Sequence, residues 1–229
     1  MADGRGITLF VHGFVRLDDA MASDLSVVNS ARVSFAKRRE ELDDGDVGLV
    51  RFLLRERHGT PFEHNAFRFH VRCPIFVARE WFRHRVGSFN EESARYHQLE
   101  PDFYVPAPGD VRSQVGKPGA YTFEPVEAGE AERVRGVLEE HYRVTYARYE
   151  ALLADGVAKE LARAVLPMGI FTQFYWTLNA RSLMNFLSLR SAPTAQLEIR
   201  RYAEAIEELF AETMPVTYAA WVANDRIAP

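Results

Sequence analysis

Cysteine is almost absent from this chain, since Cys73 is the single one among 229 residues. One thiol cannot form an intramolecular disulfide, which fits a reducing compartment. No apolar run approaches membrane-spanning length, and the segment from Met1 to Gly6 shows no charged stretch followed by an apolar one. These absences predict a cytoplasmic protein that does not contact a membrane.

Excess positive charge is lacking as well, because 28 Lys and Arg residues face 32 Asp and Glu residues, for a net charge of −4. This balance argues against a protein that binds nucleic acid through overall positive charge. The glycine-rich fingerprint of Rossmann folds and the P-loop motif are both missing. Any phosphate must therefore be held locally by arginines. Histidine and cysteine do not recur at zinc-ligand spacing, so we expect no metal site.

Hydrophobic residues make up 47% of the chain and aromatics 12%, which is ample for a core. No linker rich in Pro, Gly or Ser divides the chain, so we expect a single domain over residues 1–229. Because strand patterns come early and helical patterns dominate later, the predicted fold class is α+β, with an antiparallel sheet flanked by helices.

Hydrophobic spacing locates the main elements. It predicts an early strand around Leu9, Val11 and Val15, and a half-buried strand over 66–72 in which Phe67, Phe69 and Val71 share one face. Helical spacing, caps and proline positions predict helices over 24–35 with Ser23 as its cap, 46–58, 74–85, about 125–153, 193–214, and one that begins near 179. In the helix over 193–214 one apolar stripe is expected to serve the core or an oligomer contact; it consists of Ile199, Tyr202, Ala203, Ile206, Leu209 and Phe210. Glycines and Pro118 predict a surface loop over 106–121.

The most informative segment runs from Arg83 to Arg95 and reads Arg-His-Arg-Val-Gly-Ser-Phe-Asn-Glu-Glu-Ser-Ala-Arg. Three arginines, a histidine, two serines and an asparagine are suited to gripping phosphates and a planar polar ring. The segment resembles the signature Arg-His-Arg-x-x-Ser-x-Asn-Glu-x-Ser-x-Arg of the flavin-dependent thymidylate synthase family, and fills every fixed position. His58–His64 and Asn179–Leu187 with Arg190 also resemble that family, and the similarity extends from about Asp24 to about Trp221.

This resemblance implies a sheet flanked by helices in a homotetrameric, single-domain enzyme. It implies reductive methylation of dUMP to dTMP, with 5,10-methylenetetrahydrofolate as the carbon donor and FAD reduced by NADPH, and without a cysteine nucleophile. Arg190 is implied to be catalytic, because its guanidinium would stabilise negative charge on the pyrimidine. The small-molecule partners implied are dUMP, NADPH and the folate, and no nucleic acid is expected.

The family pattern also implies contact residues. For dUMP they are Glu80, Arg83, Glu91, Ser93, Ala94, Arg95, Arg163 and Arg190. For FAD they are His58, Thr60, Arg83, His84, Arg85, Glu91, Asn179, Arg181 and Asn185. One position departs from the pattern, since the family usually has glutamine where this chain has Glu80. A carboxylate there would repel the substrate phosphate unless it turns away to pair with Arg79, Arg83 or His84.

Arg190 can also be argued from helix geometry. Leu183, Phe186, Leu187 and Arg190 fall at i, i+3, i+4 and i+7, which places the guanidinium on an apolar face. A cation there needs a partner, and the pattern leaves open whether this partner is a ligand or a structural carboxylate. Asn185 and Arg181 lie four residues apart on a different face of the same helix, so the helix can present two polar surfaces.

Three residues have alternative readings. Cys73 follows an alternating strand pattern and precedes Pro74, which favours a buried structural cysteine over a nucleophile. Ser93 is better suited to binding phosphate than to acting as a nucleophile, because no Ser/His/Asp arrangement is evident. His84 is interpreted as a stacking or hydrogen-bonding group.

Two other functions stay open on the residues alone. The arginines with Phe89 and Tyr96 would equally serve a module that binds a nucleotide or an RNA end and catalyses nothing. A flavin reductase without methyl transfer is the second. Bound flavin distinguishes the synthase from a module that only binds. A change in the rate of flavin reoxidation when the nucleotide is added distinguishes the synthase from a flavin reductase.

Overall fold

The computed structural model describes residues 5–229. This part of the chain divides into two compact units, each built from separate stretches of sequence. The first unit contains the residues through Cys73, Val77–Glu91 and Gln173–Pro229, and the second contains Pro74–Phe76 and Glu92–Thr172. The single domain expected over residues 1–229 stays a prediction, and its first four residues lie outside the described part.

The fold is α+β, with a five-stranded sheet in the first unit. The strands are β1 (Gly6–Leu9), β2 (Gly13–Met21), β3 (Ala66–Pro74), β4 (Ser88–Glu91), β5 (Arg112–Lys117), β6 (Ala120–Pro125) and β7 (Phe171–Asn179). The sheet order is β1-β2-β3-β7-β4, and the pairs β1–β2, β2–β3 and β4–β7 are antiparallel. The predicted fold class is therefore confirmed.

Helices make up most of the rest. They are α1 (Asp24–Arg32), α2 (Asp44–Arg55), α3 (Thr60–Glu63), α4 (Ile75–Trp81), α5 (Ala128–Ala154), α6 (Lys159–Ala162), α7 (Ala180–Arg190), α8 (Leu197–Thr213) and α9 (Pro215–Ala223). Short 3-10 helices span Val33–Phe35, Pro108–Asp110 and Arg163–Val165. Among residues 5–229, no helix is long and apolar enough to cross a membrane.

The core of the first unit follows the predicted patterns. On β3, Phe67, Phe69 and Val71 are buried while Arg68 is exposed, so the alternation is confirmed. The stripe predicted for α8 is also buried and packs on β1, β2 and α7; it consists of Ile199, Tyr202, Ala203, Ile206, Leu209 and Phe210. Each large apolar side chain removed from water stabilises the fold by about 1.5–3 kcal/mol.

Side-chain caps set the starts of α1 and α2. Ser23 caps α1, where its Oγ accepts a hydrogen bond from the Ser26 N–H at 3.1 Å, so this prediction is confirmed. The helix predicted to start at 46 starts at Asp44, because Asp43 and Asp46 form a capping box in which each side chain accepts the other's backbone N–H. It ends at Arg55, ahead of the predicted 58, because Arg57 adopts a left-handed conformation (φ 58°).

Several predicted bounds were wrong for identifiable reasons. The early strand is a hairpin, because Phe10 and Val11 have positive φ and turn β1 back into β2. The helix expected over 74–85 corresponds to α4, which is shorter at both ends. Pro74 does not open this helix, because it is the last residue of β3. The middle of the segment between Arg83 and Arg95 is strand β4, whose partner β7 lies far along the chain.

The second unit packs α5 against α6 and two of the 3-10 helices. A small apolar cluster forms around Ala94, Leu99 and Ile170, with Phe103 and Leu166 against it. The loop expected over 106–121 was wrong in part, since β5 and β6 form a hairpin there. Its strands are almost entirely exposed, so hydrophobic alternation could not reveal them.

Candidate functional site

Helix α7 carries much of the candidate site, and its own sequence orients it. Asn179 is the N-cap, and its Oδ1 accepts the Ser182 N–H at 2.8 Å. Leu183, Phe186 and Leu187 are fully buried, and the Phe186 ring packs on Trp81 and Trp176. This buried stripe fixes the rotation of the helix, and so determines where the polar residues of α7 point.

Arg190 lies at the end of that stripe and is largely buried. Its Nη1 lies 3.1 Å from Glu80 Oε2, and its Nε donates to His84 Nε2 at 3.0 Å. Nη2 also lies 3.4 Å from the Glu80 backbone oxygen. The partner required by the apolar position of Arg190 is thus a carboxylate. Glu80 had been expected to pair with Arg79, Arg83 or His84 if it turned away from the substrate, and its ion-pair partner is Arg190 instead.

Burial determines the protonation of this cluster. Desolvation, aided by the Arg190 charge, lowers the pKa of His84 to about 4, so its ring is neutral near pH 7 and can accept from Arg190. Desolvation also raises the pKa of Glu80 above its usual range, although the charge of Arg190 opposes that shift. His84 stacks edge-on against Phe186. These are a ring contact and a hydrogen bond within the protein, and the expected role of His84 as a stacking or hydrogen-bonding group at a ligand stays a prediction.

A cavity of about 700 Å³ lies over this surface of α7. Most of its polar lining was expected from the sequence to contact ligands: Arg83, His84, Arg85, Asn179, Arg181, Asn185 and Arg190. Four guanidinium groups and one carboxylate, Glu63, line this cavity, so it favours an anion. Arg181, Asn185 and Arg190 all face the same cavity, although helix spacing had suggested two separate faces.

Arg181 is held by close contacts at one edge of the cavity. Its Nη1 pairs with Glu63 at 2.5 Å, and its Nε donates to the Pro229 backbone oxygen at 2.6 Å. A Cβ added at Gly59 would come within 2.7 Å of the Arg181 Nε. A glycine is therefore needed at position 59 for Arg181 to take this position.

His58 and Thr60, expected to contact flavin, line a neighbouring cavity of about 550 Å³. Gly59 lines it too, and the Arg181 side chain, which lines the first cavity, lies close to Gly59. His58 packs edge-on against Phe52. The two cavities together bring all the expected flavin residues to adjacent surfaces of the first unit, except Glu91.

Glu91 is exposed at the end of β4, where it pairs with Phe174 of β7.

Cys73 is fully buried, and desolvation raises the pKa of its thiol well above the usual value. The charge of Glu91 contributes to the same shift to a smaller extent. A thiolate is therefore strongly disfavoured, which agrees with the predicted structural role.

The remaining expected substrate residues belong to the second unit. There, Arg95 Nε lies 3.2 Å from Glu160 Oε2, and Arg163 Nε donates to the Glu160 backbone oxygen at 3.3 Å. Glu160 thus brings these two arginines together. Ser93 Oγ accepts the Arg95 N–H at 3.3 Å, and Ala94 is buried in the apolar cluster.

Some cavity-lining residues were not identified from the sequence. They are Glu63, Val86, Leu178, Ser182, Leu189, Ala228 and Pro229. Glu63 stands inside the segment His58–His64 and could have been found there. Pro229 carries no such signal, because only folding brings it to Arg181.

Throughout residues 5–229, no group of three or more His, Cys, Asp or Glu side chains could hold a metal ion.

Comparison with known proteins agrees with this geometry. The model of a family described as thymidylate synthase complementing protein matches residues 16–216. A flavin-dependent thymidylate synthase from Streptomyces avermitilis is 46% identical over 94% of this chain and 93% of its own length. One from Thermosipho africanus is 46% identical over 92% and 91%. The chain belongs to the flavin-dependent thymidylate synthase family.

Solved structures give the same picture of the fold. The crystal structure of a UMP/dUMP methylase, PolB from Streptomyces cacaoi, bound with 5-Br UMP, is 42% identical and matches with a TM-score of 0.88 over 95% of this chain and 96% of that one. The same methylase bound with 5-Br dUMP also matches with a TM-score of 0.88, at 44% identity. The chain that carries the flavin-dependent thymidylate synthase signature therefore also shares its fold with the UMP/dUMP methylase.

Proposed function

We propose that this protein is a flavin-dependent thymidylate synthase, which converts dUMP to dTMP with 5,10-methylenetetrahydrofolate as the carbon donor and NADPH as the reductant. The single observation that carries the proposal is the arginine-lined cavity over α7, in a chain that belongs to this family. The 5-Br dUMP complex of the related methylase supports dUMP as the substrate.

Arg190 is the residue we assign to activation of the pyrimidine. A guanidinium has five N–H donors, and three of those on Arg190 are directed at His84 and Glu80. The two that remain, one on each terminal nitrogen, can meet the pyrimidine edge. A fixed cation at a developing negative charge lowers a barrier by about 3 kcal/mol. It would stabilise the ring as the nitrogen between the two carbonyls loses its proton, so no cysteine attack is needed.

The cavity residues fit FAD, which supplies hydride relay and methylene transfer when bound. The anionic part of the cofactor requires cations, and Arg83, Arg85 and Arg181 line the cavity. Asn179 and Asn185 supply amide groups to a polar ring edge. We assign His58, Thr60, His84 and Glu91 to the same cofactor as contacts, on the strength of the family pattern.

For the nucleotide phosphate and sugar we propose Arg83, Glu91, Ser93, Ala94, Arg95 and Arg163, with Glu80 as a further neighbour. The shared anchor of Arg95 and Arg163 on Glu160 supports a joint role for these two cations.

We also propose a homotetramer, as the family resemblance implies. Light scattering should then give four times the 26.1 kDa chain mass.

The test is to purify the protein, record its flavin spectrum, and follow dTMP formation from dUMP, the folate and NADPH by chromatography. We expect a yellow protein that produces dTMP. A colourless protein that does not take up FAD would favour the binding module. A flavin-loaded protein that oxidises NADPH at the same rate with and without dUMP, and makes no dTMP, would favour the flavin reductase.

A further inference from the structure

A third cavity, of about 630 Å³, lies beside α1 and has no role in the assignments above. We call it the basic groove. Its polar lining includes Ser26, Ser30, Lys37, Arg38 and His64. Within the described residues 5–229, no carboxylate lines it, although acidic residues outnumber basic ones in the chain. A cavity with this lining favours a negatively charged ligand.

Glu40 and Glu41 follow Arg38 closely in the sequence, and neither lines the groove. The acid next to the groove residues of α1 is directed elsewhere. Asp24 is the first residue of α1, but its carboxylate is buried and accepts hydrogen bonds from the backbone N–H groups of Val216 and Thr217 and from the Thr217 hydroxyl. These bonds hold the Asp24 charge against α9. The Asp24 carboxylate is therefore not directed at the basic groove.

The two cations of the groove are free to take a ligand. Lys37 and Arg38 are both exposed, and neither makes an ion pair or a side-chain hydrogen bond with any residue from 5 to 229. Their neighbour Arg39 differs, because it pairs with Asp43 at 2.8 Å.

The loop that carries these cations is tied to α1 at both ends. The Asn29 amide accepts the Arg39 N–H at 2.7 Å and donates to the Arg39 oxygen at 3.0 Å. At the other end, the Lys37 N–H donates to the Arg32 oxygen at 3.3 Å. A loop held in this way loses little entropy when a ligand binds, which favours recognition.

The basic groove is continuous with the cavity that contains His58 and Thr60, since Ser30, Val33 and His64 line both. A co-substrate that lies beside the flavin proposed for that cavity can therefore extend an anionic end to Lys37 and Arg38. Both co-substrates of the proposed reaction have a suitable anionic end. NADPH has a phosphate monoester on its adenosine ribose, and folates have glutamate carboxylates.

We propose that Lys37 and Arg38, with His64 and the α1 serines, form a subsite for the anionic end of a co-substrate, recognised as a phosphate monoester or a carboxylate. This assignment rests on the proposed function for the identity of the co-substrates. The subsite sets affinity and selectivity, and takes no part in the chemical step. Exposed cations of this kind each contribute modestly, so removal of both should weaken binding about tenfold.

The experiment compares the wild type with the double variants Lys37→Gln/Arg38→Gln and Lys37→Ala/Arg38→Ala. Arg55→Ala is the matched control, because Arg55 is exposed, contacts its neighbour Glu56 and the Phe52 ring, and does not line the groove. For each protein, KM is measured with NADPH and with NADH, and with folate carrying one and five glutamates. Flavin content and circular dichroism report whether each variant is intact.

A tenfold rise in the KM for NADPH, with the KM for NADH and kcat unchanged, assigns the subsite to the phosphate. A rise confined to the five-glutamate folate assigns it to the carboxylates. Unchanged values for all four substrates, or an equal change in all four, would overturn the proposal. Titration calorimetry of NADP+ against NAD+, and of five- against one-glutamate folate, repeats the comparison without turnover. A wild type that forms no dTMP would refute the proposed function, and calorimetry would still decide on the subsite.

Discussion

The Glu80 carboxylate lies 3.1 Å from Nη1 of Arg190, although 110 residues separate them along the chain. Their side chains are 27% and 20% exposed, so the pair is only partly screened by water. On the other side of Arg190, the neutral His84 ring accepts from Nε. The guanidinium is thus held from two directions, with two donors directed at neither partner. This arrangement positions Arg190 before any substrate arrives.

Replacement of Arg190 by alanine should reduce the kcat for dTMP formation by about two to three orders of magnitude, because a fixed cation at a developing anion is lost. Flavin binding should persist, since Arg83, Arg85 and Arg181 remain in the cavity. Single-turnover formation of dTMP and flavin absorbance measure the two effects. Arg143→Ala, on an exposed stretch of α5 where Arg143 pairs with Glu140, is the control. Retained turnover in Arg190→Ala would exclude the activating role.

Glu80→Gln should keep Arg190 oriented, because the amide oxygen can still accept from Nη1. Removal of the negative charge should also lower the KM for dUMP several-fold, since repulsion of the phosphate disappears. Glu80→Ala should instead lower kcat about tenfold, because Arg190 loses its charged partner. Steady-state kinetics in dUMP separates KM from kcat. The role of Glu80 in positioning Arg190 is refuted if the glutamine and alanine variants have the same kcat.

His84 should titrate near pH 4, because burial, and secondly the charge of Arg190, lowers its pKa. Since this pKa is lower in the folded than in the unfolded chain, the unfolded chain binds the proton first as the pH falls. The free energy of unfolding should therefore decrease between about pH 6.5 and pH 4.

NMR titration of the His84 ring measures the folded-state pKa directly. In Arg190→Gln the pKa should move upwards, because the neighbouring cation is removed, but it should stay below its usual range while the ring remains buried. A His84 midpoint near 6.5 in the wild type would contradict the neutral acceptor that we describe.

Cys73→Ala should retain dTMP formation, because the thiol is buried and its raised pKa disfavours a thiolate. The variant should be less stable by about 1 kcal/mol, as expected for a small loss of buried volume. Urea unfolding and activity assays test the two expectations separately. Cys73→Ser is the companion variant, since it keeps the size but buries a hydroxyl. A folded Cys73 variant without activity would contradict the scheme without a cysteine nucleophile.

Gly59→Ala should lower flavin affinity by about tenfold while the fold remains intact. The added Cβ would lie 2.7 Å from the Arg181 Nε, so the Arg181 side chain would have to move. Because an arginine side chain can move, the substitution should weaken the contact between Arg181 and the flavin and leave the backbone in place. Gly48→Ala is the control, since nothing lies within 4 Å of a Cβ there and α2 should gain about 0.5–1 kcal/mol. Flavin titration distinguishes the two. Equal flavin affinity in both variants would argue against a ligand role for Arg181.

Local patterns were sufficient for several parts of the molecule. The alternation in β3, the buried stripe of α8 and the Ser23 cap depend on residues close in sequence, so their spacing predicted them correctly. The signature between Arg83 and Arg95 identified the family, because side-chain types at fixed spacing carry the chemistry of the site. The exposed hairpin of β5 and β6 was missed, since neither strand has a buried face.

The sequence by itself determined the fold class, the family and the set of residues available to bind anions. Only the tertiary structure decided that Glu80 pairs with Arg190 and that Pro229 reaches Arg181. It also decided that Lys37 and Arg38 line a cavity to which no carboxylate of the described residues contributes. The physical reason is that periodicity reports which face of an element is buried, whereas the partner of a buried charge depends on how distant elements pack. Such long-range pairing leaves no mark in the spacing of neighbouring residues.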